Sequence, residues 1–176
     1  CILGNGMVID PIELVEELNM LNENGIDYNG FIHIASNAHI VTPIHKWIDI
    51  KSEKKSSQKI GTTCRGIGPA YVDKYNRCGI RALDLQDTEA LREKVMDKLE
   101  SAINSGELSE SDKPDLIQNI KIFLENSSAI YPMVGDTFSM LHEMVDNKQN
   151  ILLEGAQGTM LDVNHGTYPF VTSSSP

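Results

Sequence analysis

The strongest constraint on the fold lies in the first thirty-five residues. An apolar phrase from Ile2 to Ile9 (I-L-G-N-G-M-V-I) is broken by a Gly-Asn-Gly bend and runs straight into Asp10-Pro11-Ile12-Glu13. Asp is a favoured N-cap, Pro suits the first helical position, and Glu three residues after the cap completes a start signal. Leu14, Val15, Leu18 and Leu21 then recur at helical spacing, and Gly25 supplies a stop, which predicts a helix from Pro11 to about Asn24. Phe31 to Ala35, bounded by Asn29-Gly30, reads as a second strand. Strand, helix and strand joined by short connections are the pattern of a parallel α/β sheet.

The cap-plus-proline signal returns at Thr42-Pro43, with Ile44, Trp47 and Ile48 as the buried side of a helix reaching Lys51. Ser52 to Lys59 (S-E-K-K-S-S-Q-K) has no apolar anchor and is expected to be mobile. The span 87–148 reads as a helical insertion. Leu91, Val95, Leu99 and Ala102 form one stripe. Leu116, Ile117, Ile120 and Phe123 form a second, and Phe138, Leu141 and Val145 a third. Ile151 to Glu154 is expected to be a buried strand, followed by the loop Gly155-Ala156-Gln157-Gly158-Thr159. The 176 residues fit one domain, and 40% of them are hydrophobic, enough for a sizeable core.

Between these elements lies Ile60 to Tyr71, I-G-T-T-C-R-G-I-G-P-A-Y, a mixture suited to neither a helix interior nor a strand interior. Glycines let the backbone approach a ligand, successive N–H groups in such a loop form an anion-binding concavity, and threonine hydroxyls and an arginine can add to it. The net charge is −10, yet the segment from Lys51 to Arg81 carries eight cations against only Glu53 and Asp73. An acidic protein that gathers its cations around one glycine-rich loop points to a small anion, whereas its overall charge opposes binding to nucleic acid. A solvated basic face is the plainer alternative for the same run.

Several familiar sites are excluded. The frame G-T-T-C-R-G has Ile67 and Gly68 where a nucleoside-triphosphate loop needs Lys and Ser or Thr. Gly66-x-Gly68 lacks the third glycine of a dinucleotide fingerprint, because position 71 is Tyr71. A cradle for a monophosphate remains. Asp162-Val163-Asn164-His165-Gly166 has its glycine one place early for a calcium loop, and Ser173 stands where the bidentate Glu belongs. Cys1, Cys64 and Cys78 form no C-x-x-C pair and fit a reducing compartment. His33, His39 and His45, six residues apart, match no metal motif and read as packed or surface side chains. No apolar run approaches the ~20 residues of a membrane span, so the chain reads as soluble, with no membrane partner. It also reads as a piece of something longer.

The motif at 60–71, Arg77 after it, and L-E-G-A-Q-G-T-M-L-D-V-N-H-G-T-Y-P-F-V-T-S-S at 153–174 together resemble adenylosuccinate synthetase, and the opening G-N-G-M-V-I-D-P fits the same family. The resemblance covers essentially the whole chain in order. Cys64 departs from the family's usual glycine, and Ser175-Pro176 from the commoner Asn-Thr. The resemblance implies a P-loop-NTPase-like α/β fold, incomplete at both ends. It also implies a cytoplasmic homodimeric ligase of purine nucleotide biosynthesis that joins inosine monophosphate (IMP) and L-aspartate. GTP, with Mg2+ as cofactor, would phosphorylate the 6-oxygen, and the aspartate amine would then displace that phosphate.

By the same resemblance, Thr63 and Thr172 are expected on the IMP 5′-phosphate. Arg77 is expected to reach the phosphate of the neighbouring subunit, and Gln157 to read the base and stabilise its 6-oxygen. Hydroxyls and a guanidinium suit phosphate oxygens, and an amide can pair with a base N–H and carbonyl together. Read locally, the same residues have plainer roles. Thr62 and Thr63 suit a turn cap, Arg77 a surface ion pair, Gln157 a partner for buried backbone, and Thr172 ordinary loop composition. The family's glycine-lysine phosphate loop, catalytic aspartate and histidine, and magnesium ligands are expected before Cys1, and its aspartate- and guanine-binding segments after Pro176. The chain alone is therefore expected to be inactive. A non-catalytic nucleotide-monophosphate-binding module and a helical interaction domain with a basic loop are the alternatives.

Overall fold

The computed structural model describes residues 1–55 and 61–175. Ile60 and the part of the expected mobile stretch from Ser56 to Lys59 lie outside the described residues. The opening phrase makes two strands, β1 (Ile2–Leu3) and β2 (Val8–Ile9), separated at the Gly-Asn-Gly bend. Helix α1 (Pro11–Glu23) starts where expected. The Asp10 carboxylate accepts from the N–H groups of Ile12 and Glu13 at 3.0 and 3.5 Å, so two donors at the helix start are satisfied. β3 (His33–Ala35) and β4 (His39–Ile40) follow. Phe31 is not part of a strand; its N–H closes a turn onto Tyr28 and its ring is exposed.

β1 pairs in parallel with β3, and β2 in parallel with β4, so α1 is the crossover of two parallel pairs at once. β5 (Val134–Gly135) joins the other edge of β3, giving a parallel sheet in the order β1, β3, β5. This strand falls within the span 87–148 beside the helices α4 (Thr88–Asn104), α5 (Lys113–Ile130) and α6 (Thr137–Asp146). Leu91, Val95 and Leu99 of α4 and Leu116, Ile120 and Phe123 of α5 sit at the three- and four-residue spacing that puts them on one face. They join Ile34, Ile40, Ile44 and Leu85 in a single buried cluster. In α6 the expected face is corrected. Phe138 and Val145 are exposed, Phe138 resting on the His142 ring, and the half-buried side is Met140, Leu141 and Met144.

Two further expectations are overturned. Helix α2 (Pro43–Lys55) runs past Lys51, so Ser52–Lys55 are helical. Ile151 to Glu154 forms no strand. Leu152 and Leu153 are 90% and 87% exposed, because no described strand lies alongside to take their backbone groups. Among the described residues, no helix is long and apolar enough to cross a membrane.

Helix α2 carries more polar contacts than its short apolar face would suggest. Lys46 pairs with Asp10 at 2.5 Å and Glu13 at 3.2 Å, which ties α2 to the start of α1. Burial pulls the Lys46 ammonium down, but the two carboxylates outweigh it and hold it above its ordinary range. Lys51 pairs with Asp112 at the entry to α5. His45 is buried, and its Nδ1 accepts the Thr42 N–H at 3.0 Å, which leaves the proton on Nε2. Burial and the nearby Lys98 push its pKa down to about 3.

The native state thus keeps His45 neutral down to about 3, whereas an unfolded histidine gains its proton near 6.5. Between those values the unfolded chain binds more protons, so stability falls as pH drops, by up to about 1.4 kcal/mol per pH unit for one such group. Buried His39, also lowered chiefly by desolvation, acts in the same direction, while the stabilisation from the depressed Asp112 carboxylate is present above 3.8 and is lost as pH falls from there toward about 2. Urea unfolding between pH 7 and pH 4 should show this loss, and His45→Gln should flatten the slope; an unchanged slope in that variant would contradict the assignment.

Candidate functional site

The glycine-rich stretch divides into a loop and a helix. Residues 61–66 are loop, whereas Ile67–Asn76 form helix α3, with Gly66 as its N-cap and Arg77 as its C-cap. Gly68 and Pro69 disguise this helix in the sequence, yet both fall in its first turn, where the N–H groups have no helical partner and proline costs nothing. Gly66 has φ +76°, and a Cβ there would come within 2.7 Å of the Lys46 nitrogen and 2.9 Å of the His45 Cβ. Only glycine fits against α2 at this point. The Gly66 N–H donates to the buried Asp49 carboxylate at 2.9 Å, and the Gly61 N–H donates to Glu53 Oε1 at 2.8 Å.

The two threonines of the loop differ. Thr62 Oγ1 accepts the Cys64 N–H at 3.4 Å, the local turn anticipated for both. Thr63 is exposed and, among the described residues, its hydroxyl makes no hydrogen bond.

Behind the loop, Asp73 of α3 is a shared acceptor. His45 Nε2–H donates to Asp73 Oδ2 at 2.7 Å, and Lys98 of α4 pairs with the same oxygen. A cavity of about 500 Å³ opens on that side, lined by Pro69, Val72, Asp73, Cys78 and Lys98 among others. It contains none of the four residues expected on IMP.

On the opposite side, α3 meets two other segments. Tyr71 Oη donates to the Gly6 carbonyl at 2.8 Å, and Lys74 Nζ donates to the Asn5 carbonyl at 3.2 Å, so the Gly-Asn-Gly bend rests on α3. Burial pushes the Tyr71 phenol up. The Ser173 hydroxyl lies 3.3 Å from the position a Cβ on Gly68 would take. The carboxy-terminal segment therefore lies against the first turns of α3. Its own shape comes from the buried Asp162, whose carboxylate accepts from Asn164 and His165 at 2.7 and 2.9 Å in an Asx turn, the role of the sequence that resembled a calcium loop. The Thr172 N–H donates to the Leu161 carbonyl at 2.8 Å, and its hydroxyl lies 3.4 Å from that of Ser174.

The four expected site residues are thus placed unequally. Thr63 and Thr172 belong to segments that meet at the start of α3. Arg77, in a left-handed conformation with φ +63°, stands exposed at the far end of α3, roughly 15 Å away at 1.5 Å per residue. Gln157 is exposed in the segment after Leu153, with no side-chain hydrogen bond among the described residues. Sequence reasoning missed Asp49, Glu53, His45 and Asp73. The available signal was the four-residue spacing of His45, Asp49 and Glu53, which puts three polar groups on one face of α2.

Cys64 also acquires a physical reading. Its φ is +54°, a conformation that glycine adopts freely and a residue with a Cβ adopts at a cost of about 1–2 kcal/mol. Glycine is the residue the resemblance leads one to expect there. Cys64→Gly should relieve this strain and raise the unfolding free energy, offset in part by the greater freedom of glycine in the unfolded chain. Denaturant unfolding of parent and variant measures the net gain, and a clear loss of stability would contradict the strained geometry.

Comparison with known proteins gives the owner of this arrangement. A family model described as adenylosuccinate synthetase matches residues 1–176. Adenylosuccinate synthetases of Prochlorococcus marinus (strain MIT 9211) and Chlorobaculum tepidum are each 46% identical to it, matching 100% of the chain and 40% and 41% of their own lengths. A solved structure described as fully ligated adenylosuccinate synthetase from Plasmodium falciparum superposes with a TM-score of 0.83 at 32% identity, over 99% of this chain and 40% of that one. The chain spans about 40% of the length of the curated relatives it matches, and it belongs to the adenylosuccinate synthetase family.

Proposed function

We propose that this chain supplies much of the IMP site of a GTP-dependent ligase that joins IMP and L-aspartate into adenylosuccinate, on the route from IMP to AMP. The observation that carries the reading is the family match over all 176 residues, with both nucleotide motifs retained. In the proposed reaction, GTP transfers its γ-phosphoryl group to O6 of IMP. The aspartate amine then forms the new C6–N bond as the C6–O6 bond breaks and phosphate departs.

Thr63 and Thr172 would donate to the 5′-phosphate. The exposed Thr63 hydroxyl, which makes no hydrogen bond among the described residues, supports this, as does the packing of Ser173 against Gly68, which carries Thr172 toward the same end of α3. Gln157 would read the hypoxanthine edge and stabilise charge on O6, a contribution typically of order 10²–10³ in rate for one such donor. Arg77 would serve the phosphate of the partner subunit in a homodimer. Its position at the far end of α3 from Thr63 supports a role in trans.

GTP and Mg2+ would be bound by the remainder of the full-length cytoplasmic protein. We read 1–176 as part of one α/β catalytic domain, with 87–148 inserted in it.

Two experiments test the reading. The 176-residue chain alone should form no adenylosuccinate from IMP, aspartate and GTP, and detectable product would refute its inactivity. In a full-length synthetase carrying this segment, Arg77→Leu and Gln157→Ala should each be crippled as homodimers. A mixed dimer of the two keeps one site with both residues intact and should regain roughly half the parent activity. No recovery would count against sharing across the interface.

A further inference from the structure

Arg77 adopts a conformation that its residue type does not favour. At φ +63° it closes α3 in the left-handed region, where a Cβ is costly and glycine is usual. Such strain persists only where the surroundings over-determine the backbone. Before the turn, the Arg77 and Cys78 N–H groups donate to the Lys74 and Asp73 carbonyls at 3.2 and 3.1 Å. After it, the chain is strapped to β4. The Ile40 N–H donates to the Ile80 carbonyl at 2.9 Å, the Ala82 N–H donates to the Ala38 carbonyl at 2.8 Å, and Arg81 forms an antiparallel bridge with His39. Between turn and strap, at Gly79, lies the buried His39 ring. A Cβ on Gly79 would come within 2.7 Å of His39 Cδ2 and 3.3 Å of its Nε2, so the backbone two residues beyond Arg77 rests on the imidazole. The ring's Nδ1 has no hydrogen-bond partner among the described residues, which makes packing its contribution here. Burial first, and then Lys74 and Arg81, lower its pKa against a smaller upward pull from Asp84, so near neutral pH it adds bulk without charge beside these cations.

We infer that His39, through Gly79, is a positioning residue for Arg77: the ring and the missing Cβ set how the chain leaves α3, and with it the direction in which the guanidinium is offered. This rests on the proposed role of Arg77 at the IMP phosphate, and His39 itself touches no substrate. Removing the ring lets the Gly79 backbone settle toward β4, and adding a Cβ at Gly79 lifts it away. Either change moves the base of a side chain whose bidentate contact with a phosphate depends on geometry. A misplacement of about 1 Å at such a group can cost on the order of a hundredfold.

The test is steady-state kinetics on a full-length synthetase carrying this segment. His39→Ala and Gly79→Ala should each raise the KM for IMP roughly fivefold to fiftyfold, with smaller changes in the KM for GTP. Gly79 lies outside the left-handed region, so Gly79→Ala alters the contact and not the backbone preference. In an Arg77→Leu background the same substitutions should add only about twofold or less, because their effect runs through the missing guanidinium. A merely structural role would lower Tm and the active fraction and would add its full effect to that of Arg77→Leu. If His39→Ala gives no folded protein, Gly79→Ala carries the comparison. An unchanged IMP KM in the folded variants overturns the proposal, as does full additivity with Arg77→Leu. Mixed dimers, assayed with IMP below its KM, separate the proposal from the reading on which it rests. Paired with a Gln157→Ala subunit, a His39→Ala subunit should recover roughly half the parent activity, and paired with an Arg77→Leu subunit it should not. The reverse pattern puts His39 to work in its own subunit's site and overturns the proposal. If the Arg77→Leu and Gln157→Ala pair does not recover while the non-additivity holds, only the sharing across the interface fails and the positioning stands. An Arg77→Leu variant with the parent KM for IMP takes the arginine off the phosphate and overturns both.

Discussion

The contact on which the candidate site depends is the seat of Gly66 on α2. A backbone with no Cβ lies against the His45–Lys46 backbone and gives its N–H to a buried carboxylate. From that seat the chain runs one way into the loop bearing Thr63 and the other way into α3, which presents Tyr71 and Lys74 to the Gly-Asn-Gly bend and ends at Arg77. Two stretches far apart in sequence, the loop with its following helix and the Gly-Asn-Gly bend, therefore take their positions from one helix. That helix is itself anchored by ion pairs of Lys46 to the start of α1 and Lys51 to the entry of α5.

This makes α2 an unusual structural member. Its buried residues include Pro43 and Ile44 but also His45 and Asp49, so it is held as much by directed polar contacts as by apolar burial. Buried polar groups are costly when unpaired and specific when paired. His45 shows the pairing clearly: Nδ1 accepts from backbone and Nε2 donates to Asp73, which leaves a single neutral tautomer in a single orientation. The apolar core of α4, α5 and the sheet supplies bulk stability, while the polar face of α2 fixes where the loop sits.

Much of the fold was legible in the sequence because local signals agreed with the tertiary outcome. Asp10-Pro11 capped α1, and the stripes of α4 and α5 are buried as their spacing implied. Legibility failed where local composition and tertiary context diverged. Helix α3 was hidden because Gly68 and Pro69 argue against helix everywhere except a first turn, which is where they fall. Ile151 to Glu154 has the composition of a strand, but pairing is a property of two segments, and the second is not among the described residues. In α6 helical spacing identified the element but not which face is covered. For the site, the motifs named Thr63, Arg77, Gln157 and Thr172. The supports Asp49 and Glu53 were missed because they lie in a segment read as an ordinary helix and a mobile tail.

The spacing of His45, Asp49 and Glu53 bears on how sequences of this kind can change. Three acceptors and donors in register along one helical face work only while the face stays in phase. Inserting or deleting a single residue within α2 would turn everything beyond it by about 100° and carry the later carboxylates away from the loop they hold. Substitutions on the outer side of the same helix, at the exposed Ser52 or Lys54, leave that phase untouched. Helix α2 should therefore drift freely in composition on one side while its length between Pro43 and Glu53 stays fixed, a pattern usually associated with residues that touch a ligand.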